Sequence, residues 1–431
     1  MESATTSSGD EHRGGAHVLL VPLPAQGHMN PMLQLGRRLA YHGLRPTLAA
    51  TRYVLSTGQP PGDPFRVAAF SDGFDAGGMA SCPDPVEYCR RAEAVGSETL
   101  AQVIAAETLA GRAPSVMVYD PHMSWAPRVA KAAGVPTAAF MSQSCAVDLI
   151  YGEAWAGRAP LPMADGSAQR RRGAVSVDLG PEDLSPFLVS PELYPKYLDV
   201  SIRQFEGLED AGDVLVNSFR DLEPQEAEYM ESRWRAKTVG PTLPSFFLDD
   251  GRLPSNKAYG VSFFSSDAPC MAWLDRPFLW VVRSNEAQKI SEELHGRCKE
   301  NGLIVPWCPQ LEVLAHKATG CFLTHCGWNS TTEALVAGVP MVAMPRSADQ
   351  PTTAKYVESA WGIGVGMHTD EKGLVRREEV ERCIRKVMDG EGKVEYRKNA
   401  TKWMKMAKEA MQEGGSSDKN IAEFAAKYLS R

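Results

Sequence analysis

The chain has 431 residues, 43% apolar and 23% charged, with a net charge of −7 at neutral pH. That length exceeds one ordinary domain, so two are expected, each able to bury a core. The acidic balance argues against nucleic acid or an anionic membrane as the principal partner, and the nine cysteines lack CxxC spacing, as free thiols of a reducing compartment do.

Residues 1–16 are small and polar and read as a disordered tail. No apolar run approaches the roughly 20 residues of a membrane helix, so a cytoplasmic, monomeric protein is expected. "HVLLVPLP" (17–24) is the nearly continuous apolar run of a strand buried on both faces. Asn30 is placed to cap the next helix, with Pro31 at its first position and Gly43 ending it. Strand-like pieces follow at 46–51, 65–70, 115–120, 137–142 and 213–219, mostly separated by helical sequence. Residues 17–240 therefore read as an open α/β domain with a parallel sheet. Residues 241–269 turn to Pro, Gly, Ser and Asp and read as a linker. From 270 to 431 the alternation resumes, with strands at 278–284, 302–309, 321–326 and 339–345 and helices from 376 onward. The last helix is expected to pack back on the first domain.

Within the second domain, "FLTHCGWNSTTEALVAGVP" (322–340) ends an apolar run in a crowd of polar groups. A metal site, a Cys/His nucleophile and an anion cradle all compete for this stretch. Adjacent strand residues point to opposite faces, so His325 and Cys326 make a poor dyad, and no second cluster offers metal-ligand spacing. A strand, a glycine turn and a helix starting near Ser330 remain, and exposed N–H groups at a helix start favour phosphate. Ser330 and Glu333 also match a capping box, which would make both merely helix starters.

The wider stretch 307–350, "WCPQLEVLAHKATGCFLTHCGWNSTTEALVAGVPMVAMPRSADQ", closely resembles the signature box of plant family 1 UDP-dependent glycosyltransferases. That box opens W-x-P-Q, contains HCGWNS…E and closes D-Q. The resemblance extends along nearly the whole chain and implies a GT-B fold, two facing Rossmann-like domains with the sugar nucleotide held mainly by the second. It implies that Trp307 stacks on uracil, that the Cys308 backbone reads the base edge, and that Gln310 and Glu333 bond the ribose. His325, Asn329 and Ser330 would hold the diphosphate, and Trp328, Asp349 and Gln350 would line the sugar. Gln350 is the residue type associated with glucose donors.

Glycosyl transfer requires an alcohol to lose its proton during attack, a task suited to histidine. His28, in "PAQGHMNP", stands where the family has its base, at the positive end of a helix whose field is expected to keep the imidazole neutral. Asp120, ending "VMVYD", is its expected partner, fixing the tautomer as in a catalytic triad without the serine. An inverting single displacement is implied, with UDP-glucose as co-substrate and neither cofactor nor metal. His122, Met123, Ser142, Gln143 and Gln204 are expected to line the pocket for a small hydroxylated acceptor. "FSDGFDAGG" (70–78) and the preceding segment are similar to the branch that includes trichothecene-conjugating enzymes.

Two departures stand out. The family carries a strand, an S-F/Y-G-S/T turn and a helix between W-L-D-x-Q and "PFLWVVR", whereas here Arg276 runs straight into Pro277. About thirty residues are missing, a strand–loop–helix unit. Its loss would remove donors to the β-phosphate and expose sheet edges, which makes an impaired or merely UDP-sugar-binding variant the alternative reading. Arg346, Ser347 and Ala348 also replace a common aromatic-bearing pattern beside the sugar. An NAD-dependent oxidoreductase is excluded because the first βα turn lacks GxGxxG.

Overall fold

Strand β1 (His17–Val21) is buried at every position, as a strand covered on both faces must be. Around it a computed structural model describes residues 15–58, 61–257, 259, 278–284, 286–293, 296, 298 and 302–430. The tail to residue 14, most of the linker beyond 257, and the Arg276–Pro277 junction lie outside these residues. β1 is followed by β2 (Arg45–Thr51), β3 (Arg66–Phe70), β4 (Val116–Tyr119), β5 (Thr137–Met141), β6 (Asp213–Val216) and β7 (Ala236–Thr238). They form one sheet in the order β3-β2-β1-β4-β5-β6-β7, with every pair parallel. The order reverses at β1, where Leu19 pairs Thr47 on one side and Met117 on the other.

Helix α1 (Gln26–Tyr41) lies close on this sheet because Gly36 has no side chain; a Cβ there would stand 2.6 Å from Leu20. The expected cap is not Asn30: α1 begins four residues earlier, Asn30 is buried inside it, and Pro31 sits in its second turn. Among the described residues, the other helices of eight or more residues in this half are α2 (Pro85–Leu109), α3 (Cys145–Trp155), α4 (Pro195–Arg203) and α5 (Pro224–Trp234).

The second half has β8 (Phe278–Val281) paired with β9 (Gly302–Val305), and separately β10 (Phe322–Thr324), β11 (Met341–Ala343) and β12 (Gly364–Gly366) in a three-stranded sheet. Among the described residues its α-helices of eight or more residues are α6 (Trp328–Ala337), α7 (Arg377–Met388), α8 (Lys393–Met411) and α9 (Ser416–Leu429). α9 crosses back to the first half: Ser417 donates to the Gly240 carbonyl, Asn420 to that of Thr238, and Tyr428 to Asp213 at 2.6 Å. No described helix is long and apolar enough to cross a membrane, and the eight described cysteines are free.

The segment read as a linker is not loose where it is described. It carries a short turn of helix (Ser245–Leu248), and Leu243, Phe247, Leu248 and Leu253 are all buried. Asp250 ties it down, receiving Arg38 of α1 at 3.0 Å and Arg252 at 3.0 Å, while Arg252 reaches Asp418 of α9. Arg38 and Asp250 are almost wholly buried, so each depends on the other for its charge to be tolerated. Asp250→Ala is expected to cost about 3–5 kcal/mol, because it strands the Arg38 guanidinium in the core; urea unfolding measures the loss.

Candidate active site

β1 leads through a tight turn into α1, which puts His28 in the first helical turn, partly exposed. Its Nδ1 lies 2.6 Å from Asp120 Oδ2. Asp120 follows β4 directly, at the carboxyl end of the sheet where open α/β folds gather functional groups. The other oxygen of Asp120 accepts from the backbone N–H of His122 at 3.0 Å and faces its Nδ1 at 3.1 Å. Ser142 Oγ stands 3.2 Å from His28 Nδ1. Burial raises the Asp120 carboxyl, but His28 and His122 more than offset this and hold it well below the carboxylate range.

His28 itself differs from expectation. Burial disfavours its imidazolium, yet the Asp120 carboxylate outweighs burial, with help from Asp349, and lifts the pKa above 6.5. A carboxylate at hydrogen-bond distance exceeds the partial charge of a helix end. His28, Asp120 and His122 also form a group whose ligand atoms lie within 4.8 Å of one another, close enough to hold a metal ion.

The second wall is built at the start of α6. Thr324 ends β10; Cys326 adopts a left-handed φ of 62° and is fully buried, turning the chain toward Gly327. Gly327 caps the helix, and a Cβ on it would stand 2.5 Å from His325 Nε2. The helix thus starts at Trp328, two residues before Ser330, and the capping box does not form. Ser330 Oγ accepts instead from Gln310 Nε2 at 3.1 Å. Glu333 accepts from the same amide at 2.8 Å and from the hydroxyl of Tyr259 at 2.6 Å. Burial raises the Glu333 carboxyl, and these two donors moderate the rise.

Trp328 is almost wholly buried; its indole N–H donates to the Asn217 carbonyl at 2.7 Å and its backbone N–H to Asp349 at 3.1 Å. Burial pushes the Asp349 carboxyl up to about 6. Gln350 Oε1 accepts from the backbone of Arg346 and Ser347, closing the turn before it. His325 is exposed at the helix start, and its pKa is lowered by partial burial and by the Arg283 guanidinium just past β8. Trp307 and Cys308 follow β9, the first half-buried and the second buried.

These walls meet. Asn329 Nδ2 donates to the Gly27 carbonyl at 2.8 Å, joining positions 302 residues apart. That carbonyl is available because Pro31, four residues on, has no N–H to give it. His28, the next residue after Gly27, therefore lies within electrostatic reach of Asp349 across the cleft. Of the other expected acceptor contacts, Met123 and Gln204 are buried, with the Gln204 amide donating to the Ser201 carbonyl. Gln143 holds a buried side-chain oxygen without a protein donor. Tyr259, Arg283 and Asn217 were not expected; only Arg283, at the carboxyl end of a strand, carried a sequence signal.

Two facing α/β halves, with a histidine–aspartate pair on one and a helix start carrying Asn329 and Ser330 on the other, define a GT-B glycosyltransferase. Residues 268–412 match the family described as UDP-glucoronosyl and UDP-glucosyl transferase. A UDP-glucosyltransferase of Hordeum vulgare subsp. vulgare is 62% identical, with 99% of this chain and 98% of its own covered. UDP-glycosyltransferase 79 of Oryza sativa subsp. japonica is 63% identical, with 96% of this chain and 97% of its own covered. The crystal structure of Os79 from O. sativa in complex with UDP superposes with a TM-score of 0.93 at 62% identity, covering 95% of this chain and 100% of that one. The chain belongs to the plant family 1 UDP-dependent glycosyltransferases.

With Asp120→Asn, the carboxylate that raises His28 is gone and burial remains. The His28 pKa is then expected to drop below 6.5, as read by NMR titration of the imidazole; an unchanged value would show that Asp120 does not govern it.

Proposed function

We propose that the chain transfers glucose from UDP-glucose to a hydroxyl of a small specialised metabolite or xenobiotic, with inversion and with His28 as general base. The contact between Asn329 and Gly27 carries this reading, because it sets the base beside the anion-binding helix start. With Nδ1–H donated to Asp120, the Nε2 of His28 is left to take the acceptor proton as the hydroxyl oxygen attacks the anomeric carbon. The bond from that carbon to the diphosphate breaks, and UDP leaves with its charge facing the N–H groups of α6, His325, Asn329 and Ser330. Trp307 and the Cys308 backbone hold the uracil, Gln310 and Glu333 the ribose, and Trp328, Asp349 and Gln350 the sugar. No metal or cofactor takes part in this scheme, and the monomer is the working unit.

Crystal structures of Os79 contain a trichothecene and deoxynivalenol-3-glucoside. An acceptor of that class suits a pocket lined by His122, Met123, Ser142, Gln143 and Gln204, where the unpartnered Gln143 oxygen can receive a hydroxyl. A second reading, UDP-sugar binding with little transfer, is favoured by the division of the C-terminal strands into two sheets.

His28→Ala is expected to lower kcat by a factor on the order of 10²–10⁴ with little change in donor KM. The wild-type rate is expected to rise with pH through a limb above 6.5, because the base works unprotonated and its pKa is raised. A UDP-release assay across pH checks both, and wild-type turnover no higher than that of the variant would favour the second reading. Tyr259→Phe frees one oxygen of Glu333 for the ribose, and UDP affinity measured by calorimetry is expected to rise a few-fold.

A further inference from the structure

The turn after β4 gathers metal-binding side chains at one point. Asp120 is pinned there by its backbone, whose N–H donates to the Val21 carbonyl of β1 and whose carbonyl accepts from the Met123 N–H. Its carboxylate turns one oxygen to each of two imidazoles: Oδ2 lies 2.6 Å from His28 Nδ1 and Oδ1 lies 3.1 Å from His122 Nδ1. One donor atom from each of the three residues lies within 4.8 Å of the other two, the one such group among the described residues. The Asp120 side chain is 1% exposed and the two imidazoles 23% and 16%, so the cleft gives an ion a path to the rings and to a carboxylate already stripped of water. The rings stand nearly perpendicular, at 82° with centroids 5.1 Å apart. Ser142 Oγ, 3.2 Å from His28 Nδ1, adds an oxygen at the same place.

Two imidazole nitrogens and one carboxylate oxygen are the donor set of a zinc site whose fourth position is open to water. Such donors sit about 2.0–2.2 Å from the ion, and hence roughly 3.3–3.5 Å from one another around a tetrahedron. The 2.6 Å and 3.1 Å found here are shorter, as a shared proton draws two atoms closer than a shared ion does. The site also has an orienting contact behind its ligands: the His122 backbone N–H donates to Asp120 Oδ1 at 3.0 Å and fixes the carboxylate between the rings. Asp349, within electrostatic reach of His28, adds negative charge where a dication would stand.

We propose that His28, Asp120 and His122 form an inhibitory site for a divalent zinc ion, with water in the fourth position. Zinc takes the lone pair of His28 Nδ1 and an oxygen of Asp120, replacing the hydrogen bond between them. The neutral imidazole holds one proton. With Nδ1 given to the metal, that proton passes through solvent to Nε2, and the ring neither gains nor loses one overall. Nε2 then carries an N–H and has no lone pair for the proton of an acceptor hydroxyl. Bound zinc thus stops transfer by changing the tautomer of His28, and takes no part in transfer itself. The binding requires no catalytic role of His28; the inhibition rests on His28 being the base.

The test titrates zinc sulfate into the full chain, without a histidine tag, and follows binding by calorimetry. Saturable 1:1 binding is expected. Zinc-edge X-ray absorption is expected to show nitrogen and oxygen ligands at about 2.0–2.2 Å and no sulfur, which separates this site from the free cysteines. His28→Ala and His122→Ala each remove one partly exposed ligand and are expected to weaken zinc about tenfold or more, with thermal melting of the metal-free variants checking that both fold. In a UDP-release assay, zinc is expected to lower wild-type transfer in step with occupancy, and EDTA to restore it. His122→Ala, compared with its own metal-free rate, is expected to need about tenfold more zinc for the same loss. Sulfur ligands, absence of 1:1 binding, or undiminished affinity in both variants overturn the site. Zinc bound to these three residues with transfer unimpaired upholds the site and overturns its inhibitory role together with the reading of His28 as the base.

Discussion

Everything at the cleft depends on how the first turn of α6 is held against the N-terminal half. Trp328, the first helical residue, is buried and gives its indole N–H to the Asn217 carbonyl, just beyond β6. Asn329 gives its amide to Gly27, just before His28. Two successive residues thus fix where the helix starts and where it points, so His28 and the N–H groups at the start of α6 inherit their spacing from the packing. An arrangement set by a buried tryptophan tolerates little slip, because moving the indole leaves its N–H without a partner inside the core. Trp361 extends the same contact, with its ring 6.1 Å from that of Trp328 and its own N–H on the Leu222 carbonyl. Trp328, expected to line the sugar, also holds the interface through its indole, and its backbone N–H donates to Asp349.

The cleft separates two carboxyls by their surroundings. Asp120 is buried but ringed by two imidazoles and a backbone N–H, so it stays ionised. Asp349 is buried with fewer donors and is pushed up to about 6, near enough to neutrality to change its protonation with ligand or pH. Such opposed shifts in neighbouring acids mark sites where protons move. His28 lies between the two, and each carboxylate that is charged makes it a stronger base. This gain in basicity has an opposing effect at neutral pH, since a higher pKa also lowers the fraction of free base.

Much of this was legible in the sequence. The parallel strands announced themselves because burial on both faces demands continuous apolar runs, and the 307–350 stretch carried the family by the density of its matches. The starts of both helices were misread for the same reason. Asn30 and Ser330 are good caps in isolation, but tertiary contacts claimed the positions before them. In α1 the cost of Pro31 inside the helix is a freed carbonyl, and that carbonyl is the docking point for Asn329. In α6 a buried Cys326 at positive φ reorients the chain so that Gly327 caps, a conformation that no propensity assigns to cysteine. Tyr259 on Glu333 was beyond reach because it joins a linker residue to a helix through folding alone.

The division of the C-terminal strands ties the fold to the chemistry. In a doubly wound sheet the first strand does more than fill space: it sets the crevice in which a ligand's phosphates meet a helix start. In the N-terminal half that strand exists, and the turn it feeds carries His28. In the C-terminal half His325 precedes α6 and Arg283 lies just past β8, on strands that among the described residues belong to separate sheets. A cation and a helix dipole can draw a diphosphate to such a place, but orienting a leaving group requires donors fixed on a rigid frame. Among the described residues the N-terminal strands form one such frame, and the C-terminal strands are divided between two sheets.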